Sequence, residues 1–280
     1  PMDANIDGSP NGKGGRIMSR TVWARVAVML VAAGVLAATA ARAATATWSS
    51  GWSGGGGAGG IPLSTDDVSI LGGDLVWNTS LPSTVASWTQ DAGYTGKVTF
   101  NTMYAGATGD TGFNTFTVTN GVSLNGGTWA HADNSTAQAY RLHVSAGSLN
   151  LASGASINVT GLGYDLGNGP GSPGTLSRAG GSYGGEGGYS VSGDGTVKAP
   201  YGSYIAPADL GSGGGRWGGG VGTAGGGAVF LEVAGAMTLN GSIVADGAAG
   251  NPGECASGSG GSVYIRAGSL NGTTGSVTAN

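Results

Sequence analysis

A short unit of alternating apolar residues recurs four times in this chain of 280 residues, and it limits the folds that the chain can adopt. Each copy opens with an alternating strand, passes a small-residue step and a strand that ends in Leu-Asn, and closes with a third alternating piece. The sequence AGSLN recurs unchanged at 146–150 and 267–271. Alternation with a period of two places one set of side chains on one face of a strand. The four copies begin at Phe116, Arg141, Val229 and Val263.

Strands as short as these are unstable as isolated hairpins, whereas strands stacked about 4.8 Å apart bury one continuous core. Glycine accounts for 61 residues, which argues against long helices because each interior glycine costs about 1 kcal/mol relative to alanine. Glycine also supplies positive φ angles at corners without steric cost. The sequence therefore predicts an all-β fold in which the strands form a β-solenoid. A β-sandwich of antiparallel hairpins is the alternative, because one sequence does not show strand direction.

Residues 18–43 have the organisation of a secretory signal peptide. Arg20 and Arg25 precede an apolar run at 26–38, and Ala43 ends a small-x-small cleavage pattern. The alternative is a transmembrane anchor, but an apolar run of about 13 residues is shorter than the ~20 that a membrane-spanning helix needs. The sequence predicts cleavage after Ala43 and a secreted or cell-surface protein without a membrane span in the mature chain.

The rest of the chain divides into regions of different amino-acid composition. Residues 1–17 show no structural pattern and are interpreted as a disordered or upstream-read leader. Residues 44–113 are rich in Trp and are predicted to cap the first coil, since an open sheet edge needs protection. Residues 114–280 carry the repeats, interrupted at 161–227 by a Gly/Tyr-rich insert that is predicted to be an ordered loop. Because the last repeat strand comes at the very end, we expect the natural protein to continue.

Charge limits the partners of the mature chain. Cleavage after Ala43 removes two acids and five bases from the 15 acids and 11 bases of the whole, which leaves 13 against 6 and a net charge of −7. Basic residues are scattered singly, so nothing resembles the positive patch that a nucleic acid requires. The acids are dispersed too, and we predict no metal and no cofactor. Extracellular polysaccharide or cell-surface components are the expected partners.

Few residues qualify for catalytic chemistry. Asp66 and Asp67 are adjacent, and neighbours on a strand point to opposite faces, so a turn explains them better than a catalytic pair. His143 alternates with apolar neighbours and is predicted to point outward from a strand. The lone Cys255 follows a glutamate, which does not activate a thiol. No catalytic residue is assigned.

Six residues are nominated for ligand binding. His131, Asp133 and Arg141 lie close together in sequence, and around one loop they would bind a sugar or orient an acid; a structural hydrogen-bonded corner is the alternative. Tyr183, Tyr189 and Trp217 lie in the insert, where aromatic side chains give a large contact area at small entropy cost.

Several stretches carry a resemblance to a known group. They are the signal peptide, Asp66-Asp67-Val68-Ser69-Ile70, the stretch 161–164 followed by Gly169-Pro170-Gly171, and the strand type GGSVYIRAGSLNG. Over roughly residues 45–280 the chain resembles bacterial exported surface proteins with glycine-rich right-handed parallel β-helices, similar in architecture to autotransporter passengers and pectin-lyase-like folds. The resemblance implies a right-handed coil. It assigns no functional residue, because the group includes adhesins, surface-layer components and carbohydrate-active enzymes.

A rigid repeat scaffold with few titratable groups favours a non-enzymatic role. The sequence predicts a secreted or cell-surface, structural or adhesin-like protein that acts as a display scaffold. The alternative is a polysaccharide-binding or polysaccharide-degrading protein, a lyase or hydrolase, with an unidentified site.

Overall fold

The computed structural model describes residues 43–107, 112–189, 195–216, 223–250 and 256–280. The predicted leader at 1–17 and the signal peptide up to residue 42 lie outside the described residues. Trp217 and Cys255 lie outside them as well.

The described chain is all-β, and its strands form two parallel sheets. The only helix in these residues is a 3₁₀ turn at Ala58–Gly60. The larger sheet contains nine strands: β1 (Thr45–Ser49), β2 (Trp52–Ser53), β3 (Asp67–Gly72), β5 (Thr84–Val85), β6 (Ser87–Gln90), β8 (Phe116–Leu124), β10 (Leu142–Leu151), β12 (Ala228–Leu239) and β14 (Ser262–Asn271). The smaller sheet contains six: β4 (Leu75–Trp77), β7 (Lys97–Phe100), β9 (Gly127–His131), β11 (Ala155–Asn158), β13 (Ser242–Val244) and β15 (Ser276–Thr278).

The four repeat copies add strands to both sheets in turn. In each copy the first strand joins the larger sheet beside its counterpart in the previous copy, and the second strand joins the smaller sheet in the same way. Every one of these pairs is parallel, as expected for strands of successive repeats rather than of hairpins. The antiparallel hairpins of the β-sandwich alternative are therefore wrong for the repeats. Among the strands described, only β1 and β2 pair antiparallel.

The small-residue step within each repeat is a bulge and not a corner. Ala146 and Gly147 lie inside the continuous strand β10, where the register towards both β8 and β12 shifts. A Cβ atom on Gly147 would overlap the carbonyl oxygen of Asn120 on the neighbouring strand. Glycine therefore permits a close approach of two backbones at this step, and the strand bends without ending.

The core lies at the inward positions of the stacked strands. Trp88, Val122, Leu149 and Met237 occupy one register position on successive strands of the larger sheet, and all four are almost fully buried. The first half of the core is aromatic, with ring centroids between 4.9 and 6.5 Å apart. Its members are Trp77, Trp88, Phe100, Phe116 and Trp129.

The region 44–113, predicted as a cap, contributes β1 to β7 to the same two sheets. Strand β2 turns back onto β1 at the end of the larger sheet. Trp52 lies there, 5.2 Å from Trp48 and 5.8 Å from Trp77 between ring centroids. The shielding of the sheet end is thus confined to this short hairpin, and the remainder of the region extends the core.

Glycine-rich segments outside the strands pack against one another through their backbones. Residues 211–216 run through the middle of this glycine bundle, which also includes 163–168, 175–183, 223–227 and 256–261. The amide of Gly211 donates to Gly226 O at 2.8 Å, and the amide of Gly214 donates to Thr223 O at 3.0 Å. The carbonyls of Ser212 and Gly215 accept from Ser259 N and Ala256 N, both at 3.0 Å.

The remaining two residues contact two other segments of the bundle. The amides of Gly213 and Arg216 donate to Asn168 O at 3.0 Å and Thr175 O at 3.3 Å. The segments 223–227 and 256–261 are thus each contacted at every third residue of 211–216. Three residues per turn without internal hydrogen bonds is the geometry of polyproline II, which needs outside partners for its amides. The bundle supplies these partners, so the described part of the insert is held by backbone contacts as well as by its aromatic side chains.

Candidate ligand-binding site

A cavity with a volume of about 720 Å³ opens on the glycine bundle. Its lining includes Arg178, Tyr183, Glu186 and Tyr189, glycines of 180–188 and 258–261, and the residues 279–280. This volume lies within the range of about 300–1,000 Å³ that is typical of ligand sites. A second cavity of about 280 Å³ shares Tyr183 and Gly184 with the first. The two cavities therefore adjoin along one stretch of the insert.

Tyr183 forms the fixed wall between the two cavities. Its hydroxyl lies 2.6 Å from Ser262 Oγ at the start of β14, which ties the insert to the larger sheet. Its ring meets that of Tyr201 edge-on, with centroids 5.0 Å apart. The Tyr201 hydroxyl donates to Leu210 O at 2.5 Å and lies 2.9 Å from Ser212 Oγ. Burial raises the pKa of both Tyr183 and Tyr201, so these hydroxyls remain protonated.

Two other tyrosines present their rings to solvent. Tyr189 lines the larger cavity and is 72% exposed, and Tyr204 lines the smaller cavity and is 95% exposed. Of the insert aromatics that the sequence nominated for ligand binding, Tyr183 is thus buried and Tyr189 is exposed. Trp217 lies outside the described residues. The sequence did not single out Tyr204, although it has the same Gly/Ser surroundings as the other two.

The polar groups of the larger cavity include both signs of charge. Arg178 supplies a guanidinium and Glu186 a carboxylate. The Tyr189 hydroxyl donates to Glu186 Oε2 at 3.3 Å. The smaller cavity is lined by tyrosine, proline, serine and glycine, and its described lining contains no carboxylate and no Lys, Arg or His side chain. The arrangement suits an uncharged, hydrogen-bonding ligand that also offers apolar faces.

His131 belongs to the core and not to a binding loop. It ends β9 at an inward position opposite Phe100 of β7 and is 1% exposed. Its Nδ1 lies 2.7 Å from Ala132 O, and its Nε2 accepts from Ala228 N at 3.1 Å. Burial lowers the pKa of His131 to about 4, so the ring is neutral and both nitrogens are engaged by the backbone.

Asp133 and Arg141 have other surroundings. Burial and the nearby carboxylate of Asp165 raise the pKa of Asp133. Arg141 lies over the ring of Tyr104, with 4.8 Å from Cζ to the centroid, and its Nη2 is 3.3 Å from Nδ1 of His143. His131, Asp133 and Arg141 thus have different contact partners. This agrees with the alternative interpretation of the loop as a structural, hydrogen-bonded corner.

His143 lies in a cluster on the outer face of the larger sheet. It points outward as predicted, yet it is almost buried, because its ring stacks on Phe230 with a centroid distance of 4.5 Å. Its Nε2 is 3.1 Å from Glu232 Oε2, and Glu232 Oε1 accepts from Arg266 Nη1 at 3.1 Å. Glu232 and Arg266 occupy equivalent positions on β12 and β14. An alignment of the repeats would therefore have indicated that these two side chains are neighbours.

Three side chains of this cluster, Thr115, His143 and Glu232, are arranged in the sequence of nucleophile, base and acid that a catalytic triad has. Thr115 Oγ1 lies 3.0 Å from Nδ1 of His143, with Glu232 at the other ring nitrogen. The carbonyl oxygen of Asn114 is also 3.0 Å from Nδ1, and a carbonyl can only accept. Arg141 Nη2, which can only donate, lies 3.3 Å from the same nitrogen, so Thr115 shares Nδ1 with two other groups. The cluster is better suited to holding the outer face together than to catalysis.

Within the described ranges, no group of three or more His, Cys, Asp or Glu side chains is arranged to hold a metal ion. The acidic pair Asp66 and Asp67 is occupied locally. Asp66 Oδ2 accepts from Gly56 N at 2.7 Å and Leu63 N at 2.9 Å, and Asp67 accepts from Ser87 Oγ. The same part of the chain contains no helix with the length and apolar character needed to cross a bilayer.

Comparison with known proteins gives no match to a family model, to a curated protein or to a solved structure.

Proposed function

We propose that this chain is an exported, cell-surface or secreted protein whose strands form a right-handed parallel β-helix, and that it acts as an adhesin-like display scaffold. The contact surface in this proposal is the rim of the two adjoining cavities on the glycine bundle. The observation that carries the proposal is the link from Tyr183 to Ser262, which fixes a cavity-bearing insert to a stack of parallel strands.

The coil is supported by the order of the strands. From β8 to β15 the chain alternates between the larger and the smaller sheet, and each strand lies beside its counterpart one repeat earlier. A chain that circulates between two parallel sheets in this way advances by one strand spacing per turn, as a solenoid does. A right-handed crossover is the rule for parallel strands.

The role in contact is supported by the distribution of exposed side chains. Large exposed apolar side chains of the insert include Leu176, Tyr189, Tyr204 and Ile205. Tyrosines on a pre-ordered support lose little entropy when they contact a partner. The signal-peptide pattern at 18–43 supports export.

Adhesion tests the proposed role. Beads coated with the full chain are expected to be retained on bacterial cells, and the double substitution Tyr189→Ser and Tyr204→Ser is expected to lower retention about tenfold. Leu71→Ser with Val76→Ser is the matched control, because these side chains are about half exposed but lie on β3 and β4, outside the insert. The control is expected to adhere like the unmodified chain.

Two results would contradict the proposal. Absence of retention would reject an adhesive role, and equal retention of the tyrosine variant would reject the insert as the contact surface. N-terminal sequencing of the chain after expression with its own leader tests export, and the expected mature protein begins at Ala44.

A further inference from the structure

We infer that the two adjoining cavities form one binding track for a neutral polysaccharide, with Tyr189 and Tyr204 as its stacking surfaces. The inference rests on the proposed contact role of the insert and adds the class of ligand. Its first basis is shape. The cavities of about 720 and 280 Å³ share Tyr183 and Gly184, so a ligand that fills both is longer than one sugar ring.

The second basis is the chemistry of the walls. Arg178, Glu186 and Ser257 give the larger cavity side-chain donors and acceptors, and much of the remaining lining is glycine. The smaller cavity is uncharged and is lined by tyrosine and proline rings. A sugar chain offers both hydroxyl groups and apolar ring faces, and so it matches a track with hydrogen-bonding groups at one end and aromatic rings at the other.

Charge argues for a neutral ligand. The walls of the larger cavity include one carboxylate, Glu186, and one guanidinium, Arg178, so their formal charges sum to zero. The mature chain after the predicted cleavage carries a net charge of −7, which disfavours an anionic polymer at low salt. A lipid or other wholly apolar ligand would leave the polar groups of the larger cavity without partners.

The third basis is pre-organisation. Tyr183 and Tyr201 are fixed by hydrogen bonds to Ser262, Leu210 and Ser212, so the floor of the track does not need to be ordered when a ligand binds. Only the exposed rings of Tyr189 and Tyr204 must become ordered when a ligand binds, so the entropic cost of binding is small.

Affinity electrophoresis of the full chain is the test. The probes are hydroxyethyl cellulose, dextran and galactomannan as neutral polymers, with alginate and polygalacturonate as anionic ones. Retardation is expected in at least one neutral polymer, and Tyr189→Ser and Tyr204→Ser are each expected to weaken that retardation about tenfold. Leu71→Ser serves as the control and is expected to be retarded like the unmodified chain.

Three outcomes would overturn the inference. They are retardation only by the anionic polymers, retardation by a neutral polymer that survives both tyrosine substitutions, and no retardation by any probe. The last outcome, together with tyrosine-dependent adhesion of coated beads, would reject the sugar ligand but keep the contact role. Loss of that adhesion as well would reject both proposals.

Discussion

His131 is a neutral histidine inside an apolar stack, and it ties two distant parts of the chain together. Its register position follows Trp77 and Phe100 on the smaller sheet. Its Nε2 receives the amide of Ala228, the first residue of β12, which is 97 residues further along the chain. A protonated ring would lose this acceptor and place an unpaired charge in the core. The structure therefore makes the neutral form of His131 a condition for stability.

Acid is expected to destabilise the fold through His131. The pKa of about 4 in the folded state lies below the unfolded value of 6.5, so the unfolded state binds the proton first. This stability is fully present above pH 6.5 and is lost as the pH falls towards 4. Between pH 7 and pH 4.5 the loss is about 2 kcal/mol. Urea unfolding at the two pH values is the measurement.

The substitution His131→Asn is expected to remove this loss, although it lowers the free energy of unfolding at both pH values. His143→Asn keeps His131 and is the control, in which the loss from His131 remains. An unchanged pH dependence in His131→Asn would contradict the role given to this ring.

Many contacts inside the glycine bundle are made by main-chain atoms. A Cβ atom on Gly225 would overlap the carbonyl oxygen of Gly211, and one on Gly258 would overlap that of Ala224. The space between segments is thus closed by main-chain atoms, and glycine is required there by contact distance even where φ is ordinary. This explains why the described part of the insert is so rich in glycine.

Gly225→Ala is expected to destabilise the chain by about 2–3 kcal/mol, because the overlapping atom belongs to a hydrogen-bonded backbone that cannot move aside. Gly184→Ala is the matched control within the same insert, since a Cβ there meets nothing within 4 Å. It is expected to change the free energy of unfolding by less than about 0.5 kcal/mol. Chemical denaturation measures both, and equal effects would contradict backbone packing as the reason for glycine.

Among the structural elements, the strands were predictable from the sequence, whereas the glycine bundle was not. Alternating residues such as Val229, Leu231 and Val233 marked the strand positions of the repeats, and β12 contains them. The step at Ala146–Gly147 looked like a corner because bulges and corners use the same small residues. The bundle has a backbone period of three with no apolar pattern to reveal it. Its arrangement depends on residues such as Asn168 and Gly213, which are distant in sequence and come into contact only in the folded chain.

The site was predictable only in part. Tyr183 and Tyr189, which line the larger cavity, were noted because large aromatics in a glycine-rich stretch are unusual. His131, Asp133 and Arg141 are close in sequence but have separate contacts, because His131 ends β9 facing inward whereas Asp133 and Arg141 lie beyond that strand. The partner of Tyr183, Ser262, lies 79 residues away and left no local signal.

At the scale of the whole molecule the two ends of the larger sheet differ. At one end β2 folds back onto β1, and at the other β14 pairs only with β12. Leu270 on β14 is 60% exposed, whereas Leu149 and Met237, at the same register position on earlier strands, are buried. Val277 on β15 is 47% exposed, and it follows the buried Ile243 of β13 in the same register position. The apolar row of each sheet therefore continues onto the last strand of the described chain.

The backbone packing of the bundle also restricts how the insert can change over evolutionary time. A side chain gained in an ordinary core can be accommodated when a neighbour becomes smaller. At Gly225 the neighbour is a carbonyl oxygen, which all twenty amino acids carry, so no second substitution restores the space. Variation is then confined to the rim, where Tyr189 and Tyr204 lie. The chain can diversify what it touches while the support beneath stays fixed.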